Sequence, residues 1–390
     1  MNKPIGLKNS KADSINLSCC SRCLYDSSIP EIIFNEKGVC NFCITHDELE
    51  KQYPLNEIGQ RKFERLIRKV KKSGYKKKYD CIIGISGGRD STYTLYKSVQ
   101  LGLRPLAVHF DNGWNSEIAV NNIQKVVKKY DIDLITIVAD WEEFKDLQLS
   151  FLKASVCDAE IPTDVAFHGA LIDVAAKEKL KYIFIGHSFR TEGIVPKGWT
   201  YMDGRYVSSV HKKFGKVKIK SFSNLTLLRF IYFNIIKQIK VIPFLNYMNY
   251  DKEIMGKEIE KIMDWVDYGG HHFENIYSKF FHYHFLPKKF GIDKRKLVLS
   301  AKIRSLKISK EEAVRELEKK PIDDDPELIK YTISKLGLTD YEYQKILQAP
   351  IKTFKDYPTY YNWITFFKLP LKFLFKLGIL PKLLYYKFVA

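Results

Sequence analysis

Residues 79–91 are YDCIIGISGGRDS, and this stretch decides the fold that the sequence predicts. Its first half is a short apolar run with β-branched side chains, which is typical of a buried parallel strand. Gly87 and Gly88 follow, and they permit a sharp turn and a close approach of the backbone to a ligand. Since a helical pattern comes next, the loop leads into a helix N-terminus, whose free N–H groups and dipole favour a phosphate. Ser86 and Ser91 can add hydroxyl donors, so the sequence predicts a phosphate-binding loop.

Further apolar runs alternate with helical patterns after this loop. Strands are predicted at 105–110, 133–138 and 181–185, and helices near 116–130 and 163–179. This alternation predicts an α/β fold with a doubly wound parallel sheet. Ligands of such sheets bind at the carboxyl ends of the strands. The segments that follow those ends here are residues 86–91, 111–114 and 186–192.

Two C-x-x-C pairs near the N-terminus predict a metal site. Cys20 and Cys23 form the first pair, and Cys40 and Cys43 form the second. Two such pairs supply the four thiolates of a tetrahedral zinc site, which replaces a core that a short segment cannot build. Cys19 is an alternative first ligand, but its step to Cys23 does not match the second pair. Because the ligand set is closed, we expect a structural Zn²⁺.

The composition indicates anionic partners. The 390 residues hold 64 Lys and Arg against 45 Asp and Glu, which gives a formal net charge of +19. Such an excess suits nucleic acid, a phosphorylated substrate or an anionic membrane, and composition alone does not choose among them. With 45% apolar and 14% aromatic residues, the chain can bury a substantial core.

Three zones that differ in residue composition and pattern predict the domain organisation. We expect a zinc-binding segment over residues 1–55, an α/β domain over 56–305 and a helical region over 306–390. The N-terminus has no apolar stretch of signal-peptide length, so we expect a cytoplasmic protein. No apolar run reaches the ~18 residues of a spanning helix, because lysines interrupt even the apolar tail at 363–388.

The loop SGGRDS at 86–91 resembles the pyrophosphate loop of the PP-loop ATP pyrophosphatases, and it lacks the lysine of an ordinary Walker P-loop. Other stretches are similar to the N-acetyl sugar amidotransferases of bacterial surface-polysaccharide and flagellin-glycan synthesis. They are the double C-x-x-C segment and residues 109–123, 185–206 and 265–300. The resemblance covers residues 18–320. Two positions depart from the expected pattern, since His271 replaces a lysine and Leu306 replaces a glycine.

The resemblance implies the PP-loop fold and an ATP-dependent reaction. Such enzymes transfer AMP to the oxygen of a sugar acetamido group, and ammonia then displaces AMP to give an acetamidino group. The implied cofactors are ATP and Mg²⁺. The implied nucleotide ligands are Ser86, Gly87, Gly88, Asp90, Ser91, Asp111, Gly186 and His187. The implied catalytic residues are Asp90, Arg190 and Glu192, and the candidate sugar ligands are Asp203, Arg205, Asp267, His271, His272, Glu274 and Lys294.

Ammonia is a substrate for which the sequence shows no source. It has no N-terminal cysteine and no recognisable glutaminase triad. The resemblance therefore implies separate glutaminase and cyclase-like subunits that supply ammonia, with the zinc segment as a docking surface. The other expected partner is the N-acetylated sugar, and no nucleic acid is expected.

Two alternatives stay open at this point. A tRNA-modifying PP-loop enzyme of the thiolation or lysidine type would share the loop, and the basic stretch 61–78 would suit a phosphate backbone. A membrane-surface assembly protein would use the tail at 363–388, whose lysines alternate with Leu, Phe and Tyr as in peripheral membrane segments. Prolines in that tail equally favour short helices packed on the body. The sequence also favours packing roles for His282 and His284.

Overall fold

Five parallel strands form one sheet. The computed structural model describes residues 18–270, 272–319, 325–370 and 373. The strands are β1 (Cys81–Gly84), β2 (Pro105–Asp111), β3 (Leu134–Val138), β4 (Tyr182–Ile185) and β5 (Lys240–Pro243). Their order is β3-β2-β1-β4-β5, and each neighbouring pair is parallel. The predicted doubly wound sheet is confirmed.

Helices cover both faces of this sheet. The helices are α1 (Asn41–Gln52), α2 (Glu57–Ser73), α3 (Arg89–Gln100), α4 (Glu117–Lys129), α5 (Trp141–Ala154), α6 (Ile161–Lys177), α7 (Phe189–Glu192), α8 (Gly204–Phe214), α9 (Leu227–Ile231), α10 (Lys252–Met263), α11 (Ile276–Phe280), α12 (Leu286–Phe290), α13 (Arg295–Arg304), α14 (Lys310–Glu318), α15 (Pro326–Lys335), α16 (Asp340–Gln348) and α17 (Tyr361–Phe366). Ile82 packs in one cluster with Leu171 of α6, and Ile83 in another with Leu95 of α3. Because successive side chains of a strand point to opposite faces, the unbroken apolar run of β1 follows from burial on both sides.

The N-terminal and C-terminal segments pack on this α/β unit. The cysteine segment shares a core cluster with Trp199 and Leu297, and helices α15 and α16 share one with Phe151 and Tyr206. The predicted helical C-terminal region is confirmed, whereas the predicted domain boundaries stay predictions. Among the described residues, no helix is both long enough and apolar enough to cross a membrane. Most of the tail at 363–388 lies outside the described residues.

Candidate functional site

The loop between β1 and α3 is built around two glycines. Gly87 has a φ of +77°, and a β-carbon there would lie 2.1 Å from the carbonyl oxygen of Ala119, so only glycine fits. The Gly87 carbonyl accepts hydrogen bonds from Trp265 Nε1 at 3.0 Å and from Asn122 Nδ2 at 3.4 Å. Gly88 is the N-cap of α3. The loop therefore brings the free N–H groups of a helix N-terminus to the carboxyl edge of the sheet.

The neighbouring strand ends converge on this loop. Ser86 and Ser91 approach each other within it, with 3.2 Å between their hydroxyl oxygens. Gly186 follows β4, and a β-carbon there would lie 2.7 Å from the carbonyl carbon of Asp90, so the end of β4 packs directly on α3. Asp111 ends β2 and accepts a hydrogen bond from the backbone N–H of Gly113 at 2.8 Å.

Asp90 is the centre of a charged cluster. Its carboxylate accepts a hydrogen bond from the Tyr250 hydroxyl and lies 2.8 Å from the Lys252 ammonium. Lys252 also lies 3.7 Å from Glu192, so one cation faces two carboxylates. Burial raises the pKa of Asp90 to about 6, although Lys252 acts in the opposite direction. Burial opposes the charge of Lys252, but Asp90 and Glu192 outweigh it and raise the pKa of the ammonium.

His187 joins this cluster through Glu192, since its Nδ1 contacts the Glu192 carboxylate. Burial opposes a charged imidazole, but Glu192 outweighs it and raises the pKa of His187. Burial also opposes the ionisation of Glu192, but His187 and Lys252 hold its pKa well below the usual range. An imidazole with a raised pKa and an ammonium thus stand beside the phosphate loop.

A second group of polar side chains extends from the same loop. Glu274 is its first member, because a β-carbon on Gly88 would lie 3.4 Å from Glu274 Oε1. His272 Nδ1 lies 3.7 Å from that oxygen, and its ring centroid is 5.1 Å from that of His282. Predicted sugar ligands therefore lie in reach of the predicted nucleotide loop. His271 lies outside the described residues.

His282 connects this group to two partly buried charges, Glu160 and Lys294. Its Nε2 lies 2.7 Å from Lys294 Nζ and 2.8 Å from Glu160 Oε2. Burial, with a contribution from Lys294, lowers the pKa of His282 to about 4. Burial opposes the ionisation of Glu160, but His282 and Lys294 hold its pKa at about 2. The packing role that the sequence favours for His282 is therefore incomplete, whereas the His284 ring does stack near Tyr343.

Arg190 lies close in sequence to the cluster but is engaged elsewhere. Its guanidinium donates to both Glu50 carboxylate oxygens, at 2.8 and 2.6 Å, and to the backbone carbonyls of Asn246 and Tyr53. The Arg190 carbonyl accepts from Ser305 Oγ at 3.2 Å. These contacts place the Arg190 side chain between α1 and α7, and its predicted catalytic role stays a prediction.

Three predicted sugar ligands are likewise committed to other contacts. Asp203 caps α8 and accepts from the backbone N–H of Tyr360 at 2.9 Å. Arg205 is exposed and lies over the Tyr360 ring. Asp267 pairs with Arg89 on α3. The structure brings only Asp267 of these three next to the loop, through that pair.

The sequence did not reveal four residues of the site: Tyr250, Lys252, Glu160 and His282. Tyr250 and Lys252 follow the unpredicted strand β5, and no motif marks them. They reach Asp90 because α10 packs on α3, a contact between distant parts of the chain. Only the position of Lys252 at the start of a helix after an Asp cap could have signalled an element there.

The four cysteines of the two C-x-x-C pairs come together in the interior. Their sulfur atoms all lie within 4.8 Å of one another, and the Cys20–Cys43 and Cys23–Cys40 distances are both 3.8 Å. A tetrahedral ion with metal–sulfur bonds of about 2.3 Å requires sulfur separations of about 3.8 Å. The residues therefore fit a metal ion. Cys19 is exposed and outside this set, so the first cysteine of the cluster is Cys20.

Arg304 is the cationic neighbour of these thiols. Its Nη2 donates to Cys23 Sγ at 3.1 Å and its Nε to Cys43 Sγ at 3.3 Å, while its guanidinium lies over the Tyr25 ring. Four thiolates around a divalent ion carry a net negative charge, and a buried guanidinium stabilises that charge through hydrogen bonds to sulfur.

The fold and the loop define an α/β protein with a glycine-rich loop at the carboxyl edge of a parallel sheet, the place where such sheets bind their ligands. Residues 274–370 match the family model described as the C-terminal domain of WbpG-like LPS biosynthesis proteins. Over these residues, the match supports the similarity to surface-polysaccharide proteins that the sequence predicts. The matched part includes three residues of the candidate site, Glu274, His282 and Lys294.

Other relatives cover the chain differently. An uncharacterized protein from Methanocaldococcus jannaschii is 31% identical over 175 residues, which are 43% of this chain and 58% of that protein. The chain therefore spans less than two thirds of the length of this curated relative. Among solved structures, an NMN synthetase from Francisella tularensis aligns with a TM-score of 0.27 and 15% identity, covering 57% of this chain and 92% of that one. The tRNA thiolase NcsA from Methanococcus maripaludis aligns with a TM-score of 0.29 and 16% identity, covering 78% of this chain and 90% of that one.

Proposed function

We propose that the protein is an ATP-dependent amidotransferase that converts the acetamido group of an N-acetylated sugar to an acetamidino group in LPS or a related surface glycan. The proposal rests on one observation: polar side chains of the part that matches the WbpG-like domain lie next to the glycine-rich loop. Glu274 of that domain lies beside Gly88 of the loop. The reaction needs such an arrangement, because the nucleotide and the sugar amide must meet.

The chemistry explains why ATP is required. An amide carbonyl is a poor electrophile, and its oxygen is a poor leaving group. The acetamido oxygen attacks the α-phosphorus of ATP, the bond to pyrophosphate breaks, and an imidate with AMP as leaving group forms. Ammonia then adds to the imidate carbon, AMP departs with the oxygen, and the amidine retains the added nitrogen.

The residues of the loop bind the pyrophosphate part of ATP. Backbone N–H groups at the start of α3 and the Ser86 and Ser91 hydroxyls donate to phosphate oxygens. Lys252 and His187 add positive charge beside them, and charge placed in advance favours the departure of pyrophosphate. Asp90 and Glu192 hold these two cations in place through the contacts described above.

Mg²⁺ fits the donor chemistry of the same cluster. Asp90 and Glu192 supply carboxylate oxygens, which are the ligands that this ion prefers, and they face a common cation at 2.8 and 3.7 Å. When bound, Mg²⁺ would neutralise charge on the phosphate oxygens. The ion of the cysteine cluster is Zn²⁺ in our proposal, because four thiolates in a closed tetrahedron are typical of structural zinc.

The sugar binds in the group formed by His272, Glu274, His282 and Lys294. These side chains offer donors and acceptors for hydroxyl groups, and Lys294 can pair with an acidic sugar or a diphosphate. Ammonia comes from separate glutaminase and cyclase-like subunits. The enzyme acts in the cytoplasm, where ATP and nucleotide sugars are available.

The test is a turnover assay with the purified chain, ATP, Mg²⁺, ammonium chloride and a panel of nucleotide-linked N-acetyl sugars and N-acetylated nonulosonic acids. We expect AMP and pyrophosphate to appear only with an N-acetylated sugar and ammonium, together with a product in which NH replaces oxygen, identified by mass spectrometry. AMP release that responds to bulk tRNA and not to any N-acetyl sugar would overturn the proposal.

A further inference from the structure

One helical segment turns an apolar face to solvent. It runs from α9 through a π-helical turn, Tyr232–Ile236. Its exposed side chains recur as pairs four residues apart, and residues at this spacing share one face of a helix. The pairs are Leu227 with Leu228, Ile231 with Tyr232, and Ile235 with Ile236. The most exposed of them are Leu228 at 79% and Ile236 at 66%.

Arg229, a charged side chain of the same segment, contacts the protein instead. Arg229 pairs with Asp173 of α6 and donates to the Asn224 carbonyl at 2.9 Å. Phe233, on the same inner side, packs against a core cluster. Surface helices normally have the opposite arrangement, with the polar face in water. A contiguous exposed apolar face of this kind indicates a surface that another body covers.

The sequence on either side of this face lacks acidic residues. No Asp or Glu occurs between Asp203 and Asp251, whereas the exposed residues Lys237 and Lys240 follow the segment directly. Protein interfaces are depleted in lysine. Helices that lie on membranes, in contrast, combine an apolar face with lysines beside it.

We propose that residues 227–240, which comprise this helical segment and the lysines after it, dock on the surface of an anionic lipid bilayer. The six apolar side chains enter the interfacial region, and Lys237 and Lys240 meet the lipid headgroups. A second copy of this chain is a poor alternative occupant, because the exposed Lys237 and Lys240 of two such faces would repel each other. The lysine-rich tail at 363–388 is a poor occupant for the same reason. The proposal concerns where the protein works and does not depend on the reaction proposed above.

The first test measures hydrogen–deuterium exchange of the full chain with two kinds of vesicle. Vesicles of phosphatidylcholine with phosphatidylglycerol should slow exchange over 227–240, and vesicles of phosphatidylcholine alone should not. Because the readout is local, it separates this segment from the C-terminal tail. Unchanged exchange over 227–240 with the anionic vesicles would overturn the proposal. Slowing that appears without lipid as protein concentration rises would also overturn it, by assigning the face to a second copy.

The second test compares flotation of variants with the anionic vesicles. The double variant Leu228→Asp, Ile236→Asp should bind the vesicles at least about tenfold more weakly than the parent, because burying even one such aliphatic side chain contributes about a factor of ten. Ile351→Asp is the matched control, because Ile351 is 60% exposed and lies outside the segment. It should float like the parent. Equal flotation of the parent and the double variant would contradict the proposal.

Discussion

The guanidinium of Arg190 makes a bidentate, fork-like ion pair with the carboxylate of Glu50, with Nε–Oε1 and Nη2–Oε2 distances of 2.8 and 2.6 Å. Glu50 lies on α1, the helix that is capped by Cys40 and contains Cys43. Arg190 lies on α7, two residues before Glu192 of the charged cluster. The fork therefore ties the cysteine cluster to the candidate active site.

Glu50→Gln should destabilise the protein, because the buried Arg190 would lose its counter-charge. Breaking a fully buried pair costs about 3–5 kcal/mol. The Glu50 side chain is 36% exposed, so solvent screens part of this loss, and we expect about 2 kcal/mol in denaturant unfolding. The control is Glu57→Gln, which breaks an exposed pair with Arg61 and should leave the unfolding free energy unchanged. Equal effects of the two substitutions would contradict the assignment.

The same pair predicts an acid dependence of stability. Burial opposes the ionisation of Glu50, but contacts with His46 and Arg190 outweigh it and hold its pKa at about 2. Because the pKa is lower than in the unfolded chain, the stabilisation is complete above the usual value of 4.5 and is lost as pH falls toward 2. The stability difference between the parent and Glu50→Gln should shrink over this range, and a difference that stays constant there would refute the linkage.

The elements that could be predicted are those whose pattern of apolar residues indicates which of their faces are buried. Strand β1 is apolar on both faces, so its run is unbroken, and the loop after it carries its own glycines. Strand β5 was missed because it is a short edge strand that is half-exposed and ends in Pro243. An edge strand needs no continuous apolar pattern, and local sequence then gives little signal.

The candidate site shows the same division. Asp90, His187 and Glu192 follow strand ends, where the topology itself predicts ligands. Lys252 meets them only through helix packing, which no local pattern encodes. Arg190 illustrates the converse difficulty, because the sequence of a polar side chain near a strand end is the same whether that side chain faces a substrate or a carboxylate of the protein.

Gly87→Ala should abolish ATP binding. The new β-carbon would lie 2.1 Å from the Ala119 carbonyl oxygen, a backbone atom that cannot move without displacing α4. Gly337→Ala is the control, because Gly337 has a φ of +73° but no described atom within 4 Å of such a β-carbon. This substitution should lower the free energy of unfolding by about 1 kcal/mol, the cost of a left-handed backbone for alanine, and leave ATP binding intact. Calorimetric titration with ATP tests both, and normal binding by Gly87→Ala would remove the loop from the nucleotide site.

Each chain should bind one metal ion in the cysteine cluster. Cys40→Ser removes one of four thiolates, so the metal content should fall to background and the thermal midpoint should drop. Cys19→Ser is the control, since Cys19 is exposed and outside the cluster. Elemental mass spectrometry measures the content and identifies the ion, which we expect to be zinc. Metal loss in both variants, or in neither, would be incompatible with the cluster as described.

Leu306→Gly should stabilise the protein. Leu306 follows α13 with a φ of +56° and is 89% exposed, so its side chain gains little and its backbone is strained. The left-handed conformation costs about 1–2 kcal/mol, of which the greater freedom of unfolded glycine offsets a part, and we expect a gain of about 0.5–1 kcal/mol. The left-handed backbone also explains why the family resemblance predicts a glycine at this position, just after the end of a helix. Leu306→Ala retains the β-carbon and should gain nothing, so an equal gain would point to another cause.

Lys252→Met should remove the cation that faces both Asp90 and Glu192. Asp90 would then stand beside the phosphate loop without its cationic partner, while Glu192 would keep its contact with His187. ATP binding should therefore weaken and pyrophosphate release should fall about 10²- to 10³-fold. Lys257→Met is the control, because Lys257 is exposed on the same helix and should keep the activity of the parent. Circular dichroism establishes that both variants are folded. Loss of activity in both would assign the effect to the integrity of α10, whereas full activity in Lys252→Met would exclude the ammonium from the reaction.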